Sequence, residues 1–169
     1  MKMTARRPKG FTLMELMIVV AIIGIIAAIA IPNLLLALQR AKQRRTMVDL
    51  KNIALAWESR NVEVYRYNAA GASYDGAGQV TDFAAVVAVI SPTYMKTVPS
   101  VDAWGNPYVT YLDRAFGDPL PAQKYALISG GKDGTVDTAA IPGPITNFDC
   151  DIVFGNGTFL SYPDGINLK

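Results

Sequence analysis

The chain has 169 residues, 51% of them apolar, with a formal net charge of +2, one cysteine and no histidine, a length that suits one ordinary domain plus an anchoring segment. A single cysteine, Cys150, excludes an intrachain disulfide and a cysteine-rich zinc site; its ordinary reading is a small buried apolar residue. Four bases (Lys2, Arg6, Arg7 and Lys9) crowd the first ten residues, whereas after residue 70 five bases face ten acids, so the soluble part is acidic, which argues against nucleic acid as its ligand, and the basic start argues for a cytoplasmic N-terminus.

In chain order, residues 1–10 form a short basic leader. Phe11 to about Tyr67 reads as one long helix whose only strong breakers are Gly24 and Pro32. Its front holds "KGFTLMELMIVVAIIGIIAAIAIP" (Lys9–Pro32), with no polar side chain from Leu16 to Ile31. As helix, Leu16 to Leu38 spans about 35 Å, enough to cross a bilayer core. Glu15 sits near the start of this run, where an unpaired carboxylate is costly. Pro32 lacks an N–H, so the carbonyl of Ala28 loses its helical partner and the rod is weakened there. From Gln39 the pattern turns amphipathic. Met47, Leu50, Ala54, Trp57 and Val64 form an apolar stripe, behind a basic band (Arg40, Lys42, Arg44, Arg45) that reads as a solvated face near lipid head groups. A helix of about 57 residues is about 85 Å long. A small head cannot cover that, so the front half is expected to be buried in lipid or in other subunits.

The segment Asn68–Gln79, rich in Gly and Ala, reads as a loop. Thr81 or Asp82 can cap a short helix, Phe83 to Ile90, ended by Ser91-Pro92. "DAWGNPY" (Asp102–Tyr108) is a turn cluster in which Trp104 packs beneath the turn and the Asn106 side chain ties a loop. "YVTYL" (Tyr108–Leu112), "KYALIS" (Lys124–Ser129) and "IVFGNGTFL" (Ile152–Leu160) read as strands of a small antiparallel sheet, with Gly155-Asn156-Gly157 a tight turn or bulge. Between the last two lies an acidic loop, Gly130 to Asp151. The expected fold is therefore α+β: a leader (1–10), an apolar helix (11–38), its amphipathic rear half (39–67), and a head (68–169) packed on that rear half.

Three readings of the N-terminal segment compete. A signal peptide would be cut at Ala28-Ile29-Ala30, a permanent anchor would stay in the membrane, and a filament subunit would move its helix from lipid into a bundle of copies. Glu15 discriminates, because neither of the first two gains from it. In a bundle, cleavage after Gly10 would give a neighbouring subunit's Phe11 a new α-amino group, and its pairing with Glu15 would offset desolvation and set axial register.

"KGFTLMELMIVVAIIGIIAAIAIP" resembles the N-terminal signal of type IV pilins and type II secretion pseudopilins, which share Lys-Gly, Phe-Thr-Leu-x-Glu and then an apolar helix. The resemblance implies that a prepilin peptidase cuts between Gly10 and Phe11 and N-methylates Phe11, with Glu15 the assembly carboxylate; the helix weakened at Pro32 would let the rod bend or unwind when packed. "SPTYMKTVPSVDAWGNPYVTY" (Ser91–Tyr111), "YALISGGKDGTVD" (Tyr125–Asp137) and "DCDI" (Asp149–Ile152) resemble the major pseudopilins of type II secretion systems. That implies a single-pass inner-membrane protein with a periplasmic head, which polymerises with itself, with minor pseudopilins and on an inner-membrane assembly platform. Membrane lipid is its partner before assembly, and the filament drives export of folded proteins. The alternative is a major type IV pilin of a surface pilus.

The same family implies one structural Ca²⁺ in the acidic loop, with Asp133, Asp149 and Asp151 as side-chain ligands. The chemistry agrees, since four carboxylates within 19 positions, Asp137 among them, lie in a glycine-rich loop and Ca²⁺ takes six to eight oxygens. The loop is longer than the family pattern over Asp137–Phe148, which leaves Asp137 and Asp149 as competing ligands. Asn68–Gln79 and Phe116–Gln123 also look long. No histidine, G-x-S-x-G or phosphate loop is present, so no enzyme activity is expected.

Overall fold

The computed structural model describes residues 10–65, 67, 79–81, 83–113, 122–137 and 142–164. Along them run α1 (Leu13–Val64), β1 (Gln79–Thr81), α2 (Phe83–Ile90), β2 (Val109–Leu112), β3 (Tyr125–Ser129), β4 (Gly143–Ile145), β5 (Ile152–Gly155) and β6 (Thr158–Pro163). The chain divides between Gln39 and Arg40 into two compact units.

The first unit is the front of α1. It stays helical through Pro32. The missing N–H there deprives the Ala28 carbonyl of a donor, and one residue on, the Asn33 side-chain amide donates to the Ile29 carbonyl at 3.1 Å.

In the second unit, α1 ends earlier than the expected Tyr67, because Tyr65 takes a left-handed φ of 56°. Its N–H still bonds the Asn61 carbonyl at 2.7 Å, the single bond of a left-handed helix cap. α2 occupies the expected residues. Of the two expected caps, Thr81 belongs to β1 and Asp82 lies outside the described residues. So do residues 68–78 and 116–121 of the two loops expected to be long.

The fold class is α+β, as expected, but the sheet differs in two ways. It has the order β1-β2-β3-β5-β6-β4, and it is mixed rather than purely antiparallel, because β4 pairs parallel to β6. β4 falls inside the segment read as the acidic loop. Its three residues, Gly-Pro-Ile, are too few to show a pattern, and Pro is tolerated because the strand is an edge. The last expected strand is a hairpin, β5–β6, turned at Asn156 (φ 49°) and Gly157 (φ 83°), the pair of positive φ values that a two-residue hairpin turn needs. A register shift also falls at Val153/Phe154.

The core follows from two periodicities. On α1, Leu50, Ile53, Ala54 and Trp57 are fully buried, spaced by three and four on one helical face. On the sheet, alternate residues Leu112, Tyr125, Leu127, Ile152 and Phe154 join them, with Phe83, Val86 and Ile90 of α2. Trp57 lies 5.0 Å from the Tyr125 ring and 6.0 Å from that of Tyr67, and the Tyr125 hydroxyl donates to Glu58. The opposite sheet face carries a smaller cluster, Ala126, Ile128 and Val153, covered partly by Val136 of the acidic loop. β3 is thus buried on both faces, which explains its unbroken apolar run. Leu50→Ala should lower stability by about 2–5 kcal/mol, while Val48→Ala, at a site 57% exposed, should change it by less than about 0.5 kcal/mol; urea unfolding of the full chain in detergent checks both.

Candidate functional site

At the N-terminal end of α1, a Cβ added at Gly10 meets nothing within 4 Å among the described residues, and none of these requires glycine there. Phe11 is 89% exposed. Glu15 has partners within its own chain: Oε2 accepts from the Thr12 N–H at 2.8 Å and the Thr12 hydroxyl at 2.9 Å, and the Glu15 N–H donates to Thr12 Oγ1 at 3.1 Å. This is a capping box, which satisfies two backbone donors at the helix start. Its signature, Thr-x-x-Glu before an apolar run, is legible in the sequence and escaped the reading of Glu15 as a carboxylate awaiting a neighbour. Both accepted bonds fall on Oε2, so Oε1 accepts none among the described residues.

Behind Glu15, every large apolar side chain from Leu16 to Leu38 stands exposed. The helix holds an 18-residue window of mean hydropathy 2.8, none of it buried. That is long and apolar enough to cross a membrane. The exposure continues on one face of the rear half at Val48, Leu55 and Val62, seven residues apart.

At the other end of the second unit, Asp102 organises the turn. It is 5% exposed, and its Oδ1 accepts from the N–H groups of Trp104, Gly105 and Asn106 at 2.8–2.9 Å. Its Oδ2 accepts from the Ser129 hydroxyl at 2.7 Å. Ala103 N–H donates to Thr46 Oγ1 of α1 at 3.2 Å, and the Asn106 amide donates to the Gly131 carbonyl at 2.8 Å. Trp104 is half-buried against the core. Sequence reasoning saw the turn and the Asn106 tie but missed the carboxylate at its centre, although an Asp just before Trp-Gly-Asn is the usual acceptor of such a turn.

The acidic loop leaves β3 through Gly131 and Gly134, with φ of 63° and 72°. A Cβ on Gly131 would lie 2.7 Å from the Cys150 carbonyl, and one on Gly134 would lie 2.7 Å from Asn106 Oδ1. The Lys132 N–H closes the loop on the Phe148 carbonyl at 2.8 Å. Asp133 is held by Thr135, whose N–H and hydroxyl donate to it at 3.0 and 2.8 Å and keep its carboxyl below its ordinary range. Asp149 instead faces Lys132, at 3.6 Å on the surface. Asp151 is 3% exposed. Its Oδ2 accepts from the Asp137 N–H at 2.9 Å, while its Oδ1 is buried with no donor. Burial pushes its carboxyl up to about 6, with the charges of Asp137 and Asp133 adding to the rise. The loop thus brings Asp133, Asp137 and Asp151 within electrostatic reach and turns Asp149 toward a lysine. No three His, Cys, Asp or Glu side chains among the described residues converge as a cage. Cys150 is half-buried rather than buried, because it lies in a turn where the Asn147 side chain accepts from the Asp149 and Cys150 N–H groups.

The profile of the prokaryotic N-terminal methylation motif matches residues 5–31. The chain is 34% identical over 150 residues to the type II secretion system core protein G of Pseudomonas aeruginosa, covering 82% of this chain and 95% of that protein. The same protein from Aeromonas hydrophila is 31% identical over 137 residues, 80% of this chain and 91% of the relative. The type IV major pilin protein PilA of Myxococcus xanthus is 53% identical over 62 residues, but these are only 37% of this chain and 28% of the pilin. No solved structure matches. A methylation motif that runs into an exposed apolar helix, and a likeness to core protein G that covers four-fifths of the sequence, lead to one conclusion: the chain belongs to the family of the type II secretion system core protein G, the major pseudopilins.

Proposed function

We propose that this chain is the non-enzymatic building block of a type II secretion pseudopilus. A prepilin peptidase cuts between Gly10 and Phe11 and methylates the new amine. The subunit waits in the bacterial inner membrane, its head in the periplasm. It then polymerises with itself and with minor pseudopilins on an inner-membrane assembly platform, and the growing filament pushes folded proteins outward.

The observation that carries this reading is the wholly exposed apolar front of α1 behind a methylation signal. Lipid or a neighbouring helix can cover it. Moving from one to the other gains little hydrophobic energy, since acyl chains are as apolar as leucine, so close packing and polar groups must choose the arrangement. Gly24 and Ala28, four residues apart on one face, permit close helix approach. Glu15 adds the polar term: with Oε2 engaged by Thr12, Oε1 is available to the Phe11 amine of a neighbouring subunit. The stripe Val48, Leu55, Val62 extends the contact along the rear half. The likeness to the Myxococcus pilin supports a surface pilus as the second reading, but it covers only 37% of the chain, whereas the likeness to core protein G extends through the head.

The acidic loop suits one structural Ca²⁺. The fit rests on the buried Asp151 Oδ1 that lacks a donor, on Asp133 and Asp137 acting on that carboxyl, and on an all-oxygen donor set, which a hard cation prefers. Asp151 would hold the ion with loop carbonyls; Asp133 and Asp137 would have to draw in, and Asp149 to leave Lys132, to join them. The bound ion supplies the positive charge that the buried carboxylate lacks.

Four outcomes test these proposals. Mass spectrometry of the chain from its native membrane should find N-methyl-Phe11 at the start, and a mature chain starting at Ile31 would overturn the pseudopilin processing. Glu15→Leu should leave cleavage intact and reduce filament yield about tenfold or more, read by shearing and immunoblotting; unchanged filaments would remove Glu15 from assembly. For the loop, a carboxyl raised from 3.8 to about 6 means that the folded state keeps a proton that the unfolded state has lost, so stability present below pH 3.8 is lost as pH rises through 6. In chelator, Asp151→Asn should flatten that fall. At pH 7.5, millimolar Ca²⁺ should raise the melting temperature of the native chain by about 5–10 °C and leave Asp151→Asn unmoved; no rise in the native chain would sink the Ca²⁺ site.

A further inference from the structure

A cavity of about 410 Å³ opens in the second unit, between the start of its share of α1 and the β4–β6 edge. Arg40 and Arg44 line one side, Ile145 and Phe148 another, and Pro163 and Asp164 the end of β6. The two arginines are four residues apart and so lie on one helix face. Neither forms an ion pair among the described residues, whereas Arg45 reaches Asp49 at 3.7 Å and Lys132 reaches Asp149. The far walls are pinned by backbone bonds: Asp164 N–H donates to the Ile145 carbonyl at 2.9 Å, and Lys132 N–H to the Phe148 carbonyl at 2.8 Å. The cavity therefore combines two guanidinium groups and one carboxylate with the polar Gln43, Thr146 and Asn147 and the apolar Ile145, Phe148 and Pro163.

Its place along the chain is specific. Arg40 and Arg44 follow Leu38, the last residue of the apolar run, by two and six positions. In sequence they are thus the first arginines after the segment that can cross a bilayer, and a head-group layer flanks each side of a bilayer core. Guanidinium groups in that layer meet phosphates, whose oxygens fit their forked donors.

We propose that this cleft binds the head group of an amine-bearing phospholipid. The phosphate sits between Arg40 and Arg44, the ammonium faces Asp164, and the glycerol end lies against Ile145 and Phe148. Two cations and one anion match a zwitterion of opposite order better than they match a lone carboxylate from another subunit. The inference rests on the membrane-anchored reading and adds a consequence to it: a subunit that enters a filament has to surrender this lipid.

The test uses the full chain. Flotation with liposomes first establishes insertion. The chain is then placed in nanodiscs of equal phosphatidylethanolamine and phosphatidylcholine, and native mass spectrometry counts the lipids it keeps. The native chain should retain phosphatidylethanolamine in excess, because a trimethylated amine cannot donate to a carboxylate. R40Q/R44Q should lose retained lipid by about tenfold, R40K/R44K should recover part of it, and Asp164→Asn should abolish the preference between the two lipids while keeping retention. Failure to float overturns the anchored reading and this proposal together. Flotation with equal retention in R40Q/R44Q overturns the cleft alone. Equal displacement of lipid by millimolar phosphoethanolamine makes the ligand a free phosphate ester and overturns the lipid assignment. Changed cross-linking between subunits, with lipid retention unchanged, transfers the arginines to a filament contact and overturns it as well.

Discussion

The head depends on one buried carboxylate. Asp102 accepts four hydrogen bonds, three from backbone N–H groups of its own turn and one from Ser129 at the end of β3. Burying a charge costs several kcal/mol, and charge-assisted bonds return about 1.5–3 kcal/mol each, so four of them together offset a cost that a single bond would not. The neighbours it positions reach further. Ala103 takes hold of Thr46 on α1, and Asn106 takes hold of Gly131 at the entry to the acidic loop. Through one turn, the long helix, the central strand and the loop share a single geometry.

That arrangement stands in place of a disulfide, which a chain with one cysteine cannot form. The acidic loop is fastened by backbone bonds, by glycines where a Cβ would strike a neighbour, and by Val136 packed on the outer face of the sheet. Asp151 is where the fastening stays incomplete. Its Oδ1 is buried without a donor, which is costly as it stands and is the feature a cation would relieve.

α1 must serve two surroundings along one continuous helix. Its rear half gives one face to the sheet, through Leu50, Ile53 and Trp57, and leaves Val48, Leu55 and Val62 outside. Its front half carries exposed apolar side chains from Leu16 to Leu38. At its start the capping box satisfies the Glu15 carboxylate from its own backbone, which makes it cheaper to hold beside the apolar run.

The sequence by itself determined what depends on local pattern. The apolar run, the N-terminal methylation motif over residues 5–31, the bounds of α2, the central strands and the α+β class all follow from periodicity, composition and motif. Thr-x-x-Glu was equally local and legible, though it went unread as a capping box. Only the tertiary structure decided β1 and β4, because three-residue strands carry no period and exist by virtue of their partners. It decided that Tyr65 ends α1, a strained conformation that no propensity foretells. It also decided which loop acids sit together: spacing treats Asp133, Asp137, Asp149 and Asp151 alike, and only the folded loop turns Asp149 to Lys132 while burying Asp151. Local pattern is written in adjacent residues, whereas burial and charge pairing depend on residues far apart in the chain that meet only once it has folded.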